Sequence, residues 1–268
     1  MAALLGGVPV TISMVLGAWL IHDPYRDAVP TSVQNVGTCH RFASVEEYYN
    51  TADLRPPVPC TEPHQTETMS VGTLTGPLAQ RGDRPGLEAL NLMRNGLCQD
   101  ETAIRKYLGA APRDEHGFLQ IVVRFPAPGE WRAGLRRYRC ELMATEPVNG
   151  AAPVLKEPLR NAFRRPYGGW FRRCAAGARP VPCARSHDAE FVNAWLPVPS
   201  DVDIEVWAAT ACAPYVVEYL GRPVPGEYRV SATPVAGKPA PTAACQLADT
   251  SGASWTGARA GTAAESNR

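Results

Sequence analysis

The sequence predicts an α+β protein built as two small tandem domains. Each is a short antiparallel sheet with one main helix, stapled by disulfides, and the pair follows an N-terminal transmembrane helix. Three observations carry this reading. Eight cysteines fall four to a half in the same relative order. The stretch VPCTEPHQTE (Val58–Glu67) returns as VPCARSHDAE (Val181–Glu190). The first 21 residues carry no charged side chain.

The N-terminal stretch is long enough for a span, since about 20 apolar residues cross a bilayer as a helix. Pro9, Thr11 and Ser13 weaken that helix but are tolerated inside membranes. A cleaved signal peptide needs a basic leader and a small-x-small cleavage site. The first is absent, and cutting after Gly17 would put Val15 three residues before the cut. Residues 1–22 are therefore read as an uncleaved anchor, with a start codon further upstream as the source of the missing basic residues. The flank HDPYRD holds one arginine and two aspartates, which says little about orientation. The cysteines decide it: disulfides persist in oxidising compartments, so the body is expected outside the cell. Metal-thiolate frameworks show close C-x-x-C pairs, and this chain has none. The formal net charge of +1 gives no push toward nucleic acid.

The two halves repeat an ordered set of marks. The first has Cys39, then Cys60 with His64 and Glu67, then Cys98 ahead of KYLG, then Cys140 in RYRCEL. The second has Cys174, then Cys183 with His187 and Glu190, then Cys212 ahead of EYLG, then Cys245 in AACQLA. His64 and His187 lie 123 positions apart, and Tyr107 and Tyr219 lie 112 apart. Adjacent repeats with unequal loops explain such offsets. The resulting division is an anchor at 1–22, a first domain at 37–145, a linker rich in Pro, Gly and Arg at 146–168, a second domain at 169–248, and a disordered tail at 249–268 poor in core-forming residues.

In the first half, Leu87, Leu90, Met93 and Leu97 recur at helical spacing, Ile104, Tyr107 and Leu108 continue the apolar face, and Gly109 is placed to stop it. FLQIVVRF reads as a buried strand. In RRYRCELMA, Tyr138, Cys140 and Leu142 alternate with Arg137, Arg139 and Glu141, which predicts a strand with one buried face. VPCTEPHQTETMSVGTL predicts a turn near Pro63 followed by extended chain. The second half repeats the plan with DAEFVNAWLPV as strand, IEVWAATACAPYVVEYLG as helix and TAACQLA as last strand. Pro214 predicts a start, break or kink near Cys212.

These marks resemble the septum formation domain of actinobacterial envelope proteins. Cys60–Glu67 matches that family's C-(S/T)-E-P-H-x-x-E core, and Trp131–Arg136 its W-x-x-G-x-R element. The second half keeps Cys183, His187 and Glu190 but has Arg185 and Ser186 where the core has Glu-Pro, and no tryptophan precedes its last cysteine. The resemblance implies two copies, the second divergent, attached to a transmembrane segment and facing outward. It implies no enzymatic activity.

The chemistry of the marks points the same way. On a strand, residues three apart face opposite sides, so His64 and Glu67, or His187 and Glu190, are not expected to share a metal. The histidine is expected to pin a turn through backbone hydrogen bonds and the glutamate to cap nearby groups. A zinc set of Cys60, His64, Cys183 and His187 would be tetrahedral, but needs reduced thiols. Confining pairing to each half leaves three connectivities per half. Cys174 and Cys183 enclose a short turn and suit a bond across a hairpin; by position Cys39 would then pair with Cys60, Cys98 with Cys140 and Cys212 with Cys245. Joining the first cysteine of each half to its last is the open alternative. No G-x-S-x-G, phosphate loop or H-E-x-x-H is present. Arg160, Arg164, Arg165, Arg172, Arg173 and Arg179 surround PYGGWF, and arginines beside aromatics can hold anionic lipid or wall polymer; a solvated linker is the plainer reading. The expectation is a single-pass, extracytoplasmic, non-enzymatic interaction module without cofactor, metal or nucleic acid. Its partners would be the membrane, other envelope or division proteins, or anionic wall polymer. A metal-dependent envelope hydrolase using the His/Glu motifs and a ligand-sensing ectodomain are the alternatives.

Overall fold

A computed structural model describes residues 35–145 and 154–260, apart from 45, 48, 49, 54, 238 and 239. The expected anchor at 1–22 lies outside these residues. No helix among the described residues is long and apolar enough to cross a membrane.

The chain is α+β, with two antiparallel sheets. The first contains β1 (Cys39–His40), β2 (Thr66–Thr73), β3 (Leu119–Arg124) and β4 (Arg137–Ala144), in the order β1-β2-β4-β3. The second contains β5 (Arg173–Ala176), β6 (Arg179–Pro182), β7 (Ala189–Pro197), β8 (Tyr228–Pro234) and β9 (Thr242–Asp249), in the order β6-β5-β7-β9-β8. The five helices among the described residues are α1 (Leu87–Leu97), α2 (Glu101–Leu108), α3 (Pro128–Arg132), α4 (Ile204–Ala211) and α5 (Ala213–Leu220).

The expected single main helix per sheet is in fact two. In the first half the helix stops at Cys98, and Asp100 caps a new one by accepting the backbone N–H groups of Thr102 and Ala103 at 3.0 and 3.2 Å. A cap of this kind satisfies donors that a first turn leaves unpaired. In the second half the break falls at Cys212, and Pro214 sits in the first turn of α5, where its missing N–H costs nothing. Gly109 and Gly221 end α2 and α5 in the left-handed region, at φ +66° for both. Leu87, at the first position of α1, is 62% exposed and leaves the apolar face to Leu90, Met93 and Leu97.

Every cysteine is paired, each within its own half: Cys39 with Cys60, Cys98 with Cys140, Cys174 with Cys183 and Cys212 with Cys245. The first-to-last alternative is excluded. Cys98 and Cys212 stand where paired helices meet, so their bonds tie helix to central strand. The zinc set of Cys60, His64, Cys183 and His187 does not form, because both thiols are consumed in different disulfides.

Two segments expected to lie outside the domains belong to the cores. The stretch read as a linker sends Leu155, Leu159, Ala162 and Phe163 into the first apolar core beside Leu90, Leu108, Trp131 and Leu142. The stretch read as a disordered tail places Ala260 against the second core of Val192, Val216, Leu220 and Leu247. The composition of both stretches hides isolated anchor residues that pack only once their partners are in place. The halves also grip each other. Arg172, just ahead of β5, makes a two-pronged ion pair with buried Asp114 at 2.8 and 3.0 Å and covers the Phe163 ring. Arg173 pairs with Glu115 at 3.1 Å, and Arg113 with Glu218 at 2.7 Å. Two arginines of the basic cluster around PYGGWF are therefore taken up by this junction.

Removing a disulfide should cost stability in proportion to the loop it closes. By chain entropy, Cys98→Ser/Cys140→Ser, with a separation of 42, should lose about 4 kcal/mol. Cys174→Ser/Cys183→Ser, with a separation of 9, should lose about 2.6 kcal/mol. Urea unfolding of the two variants measures both losses and their order.

Candidate functional site

His64 and His187 precede their strands rather than lie on them, since β2 starts at Thr66 and β7 at Ala189. The parity argument that set histidine and glutamate on opposite faces therefore fails. His187 Nε2 lies 3.6 Å from Glu190 Oε1, and ligand atoms of Cys39, His64 and Glu67 gather within 4.8 Å. Each imidazole Nδ1 donates to the carbonyl two residues earlier, Glu62 in one half and Arg185 in the other, at 2.7 Å in both. This is the turn-pinning role expected of them. Because the acceptor is a backbone carbonyl, Arg185-Ser186 can replace Glu62-Pro63 without losing the contact.

Glu67 and Glu190 are buried and hold the cores shut. Glu67 accepts the Tyr107 hydroxyl from α2 and the backbone N–H groups of Leu159 and Arg160. Glu190 accepts the Tyr219 hydroxyl from α5 at 2.7 Å, the Trp255 indole N–H at 2.8 Å, and the Arg259 backbone N–H at 2.9 Å. In each half the same histidine pairs backbone with the returning strap, His64 with Leu155 and His187 with Trp255. Burial and the neighbouring carboxylate push the Tyr107 and Tyr219 hydroxyls well above their ordinary range, so both stay donors. The sequence marked Glu67, Glu190 and the Tyr-Leu-Gly tyrosines, but not the straps that complete them.

The first sheet has a second buried face that the sequence reading missed. Arg139 and Glu141, expected outside, are fully buried. On this side of the sheet Phe42 packs against Met143, and Asp53 is buried. Arg139 Nη2 lies 2.7 Å from Asp53 and 2.6 Å from Glu141. Glu141 also accepts from Thr66 at 2.8 Å and Arg124 at 3.1 Å. His40 Nδ1 faces Asp53 at 2.8 Å, and its Nε2 lies 3.1 Å from the hydroxyls of Thr38 and Thr68. Burial opposes ionisation of Asp53 most strongly, but the His40 hydrogen bond and the Arg139 guanidinium outweigh it and hold Asp53 well below the usual carboxylate range. Burial is likewise overcome at Glu141, held low by Arg139, His40 and Arg124. A histidine oriented by a carboxylate has the connectivity of a general base, but this one is sealed and turned toward threonines inside the sheet. In the second half Gln246 occupies the position of Glu141 beside the central cysteine, and Ala244 that of Arg139. The only signal in the sequence was two charged residues alternating along a strand, which normally marks a solvated face.

The W-x-x-G-x-R element is also structural. Trp131 is buried and donates its indole N–H to the Arg81 carbonyl at 3.0 Å. Gly134 turns the chain at φ +86°, and Arg136 returns to cover the Trp131 ring at 4.0 Å while donating to the Trp131 carbonyl at 2.8 Å.

Glu190→Ala would strand several donors at once. With about 1–3 kcal/mol for each unsatisfied buried group, the loss should be about 4 kcal/mol or more, against about 1–2 kcal/mol for Tyr219→Phe. Urea denaturation distinguishes these values, and a double-mutant cycle should show coupling. Asp53 and Glu141 make a separate prediction. Their folded values are depressed, so the stability they contribute is present above the unfolded carboxylate range of about pH 4 and is lost as pH falls below it. Urea midpoints should drop between pH 5 and pH 3, on the order of the carboxylate range, and Asp53→Asn should flatten that drop.

Residues 36–236, more than half of the chain, match the family model described as Septum formation. No curated protein and no solved structure matches. The match begins ahead of β1 and ends just beyond β8. The chain belongs to the septum formation family.

Proposed function

We propose that this chain is a membrane-anchored, extracytoplasmic envelope protein that serves septum formation as a non-enzymatic interaction module, its two halves derived from one duplicated plan. The observation that carries the reading is the pairing of all eight cysteines within their own halves, which suits an oxidising exterior. The family match supports the link to cell division. The non-enzymatic reading is supported by the state of the His/Glu motifs. His64, Glu67, His187 and Glu190 are all buried, at 1% exposure or less. Both carboxylates already accept several donors, leaving no room for a substrate carbonyl or an attacking water. Duplication is supported by the matching turn, strap and tyrosine around Glu67 and Glu190. The partners on this reading are the membrane, through residues 1–22, and other division proteins or anionic wall polymer.

The test combines topology, redox state and location. In protoplasts, external protease should digest the body. Without a reductant, none of the eight cysteines should alkylate. A fluorescent fusion should gather at division septa. A protected body with alkylatable thiols would overturn the reading. For the enzymatic alternative, His64→Ala/His187→Ala should destabilise the fold; a stably folded variant that had lost a wall-degrading activity of the parent would establish the hydrolase instead.

A further inference from the structure

We propose that the second half carries a latent zinc site: once the Cys174–Cys183 disulfide is reduced, Cys174 Sγ, Cys183 Sγ and His187 Nε2 bind one Zn²⁺ ion. This goes beyond an interaction role and rests on geometry alone. Ligand atoms of these three buried residues already lie within 4.8 Å of one another. Tetrahedral zinc, with bonds of about 2.3 Å to sulfur and about 2.0 Å to imidazole nitrogen, needs its ligands roughly 3.5–4 Å apart. The site is therefore within a small rearrangement of the required shape.

The imidazole is prepared for such a role. His187 Nδ1 donates to the Arg185 carbonyl at 2.7 Å, and the ring edge meets Trp255 at 4.8 Å. Zinc-bound histidines characteristically donate their other ring nitrogen to a carbonyl or carboxylate, which fixes ring and tautomer. Nε2 is left fully buried with no hydrogen-bond partner in the oxidised fold, a costly state for a polar atom unless another condition supplies its partner. Glu190 Oε1 lies 3.6 Å from Nε2, a further oxygen beside the site. In the first half the gathered set is Cys39, His64 and Glu67, with a single cysteine, so the proposal is confined to the second.

Access is through the sheet edge. β6 is the outermost strand, and the bond spans the β5–β6 hairpin, so local opening of this hairpin exposes it. A dithiol reductant passes two electrons and two protons to the disulfide and becomes a disulfide itself. Zinc then displaces the two thiol protons to solvent, and the two thiolates balance its charge. The ion takes over the staple that reduction removes.

Cobalt(II) is the probe, added to the full chain after reduction with a phosphine. One equivalent should bind, with thiolate-to-cobalt charge-transfer absorption and tetrahedral d–d bands, and zinc should displace it. His187→Gln should weaken binding at least about tenfold. Cys174→Ser/Cys183→Ser should abolish it, His64→Gln should leave it unchanged, and the oxidised chain should bind none. The proposal is overturned if the reduced chain keeps its circular dichroism but shows no such bands. It is equally overturned if binding is indifferent to His187→Gln, the result that thiols of an unfolded chain would give.

Discussion

A carboxyl group buried in an apolar interior needs donors around it, and each half of this chain closes around one such group, Glu67 in the first and Glu190 in the second. Leaving a buried polar group without partners costs about 1–3 kcal/mol, and more for a charged one. That cost is offset only when the second helix brings its tyrosine and the strap brings its backbone N–H groups. The requirement reaches across the fold. It sets the rotation of α2 and α5, which must aim Tyr107 and Tyr219 inward. It gives residues 154–163 and 254–260 a path, because the straps must run beside His64 and His187 to reach the glutamates. The disulfides act on the same framework from outside, tying β1 and β5 to the turns that carry the histidines, and helix ends to central strands.

The halves share that closure and differ in what lies behind it. Behind the first sheet, Arg139, Glu141, Arg124, Asp53 and His40 form a buried charged layer. The corresponding layer of the second sheet is built from Ala175, Ala189, Phe191, Ala244 and Ala248. The charged layer is demanding, since removing any one partner leaves another charge uncompensated. The small-residue layer tolerates exchange more readily.

The family motifs emerge as parts of a scaffold. Cys60 anchors a bond, His64 pins a turn, Glu67 binds a strap, and Trp131 with Arg136 clamps the approach to β4. Of these, His64, Glu67 and Trp131 are buried.

Much of this was legible in the residues. Cysteine order, the paired V-P-C-x-x-x-H-x-x-E stretches and strand-like alternation led to the α+β class, to pairing within halves and to the turn-pinning histidines. Three features were not. Leu155 and Trp255 sit in stretches rich in Pro, Gly, Ala or Ser, where a lone apolar residue looks incidental until the histidine it pairs with is known. Arg139 and Glu141 look solvated, because alternation reports that a strand has two faces and not whether a distant loop covers the second. Histidine and glutamate three apart look divergent, because parity holds only where the strand has begun. The sequence by itself determined the local devices: the stop at Gly109, the turn near Pro63, the break that Pro214 makes near Cys212, and the cysteine set. Only the tertiary structure decided which charges are buried and which straps close the cores, because those depend on residues 65 to 93 positions apart meeting in one place, and desolvation is a property of the meeting.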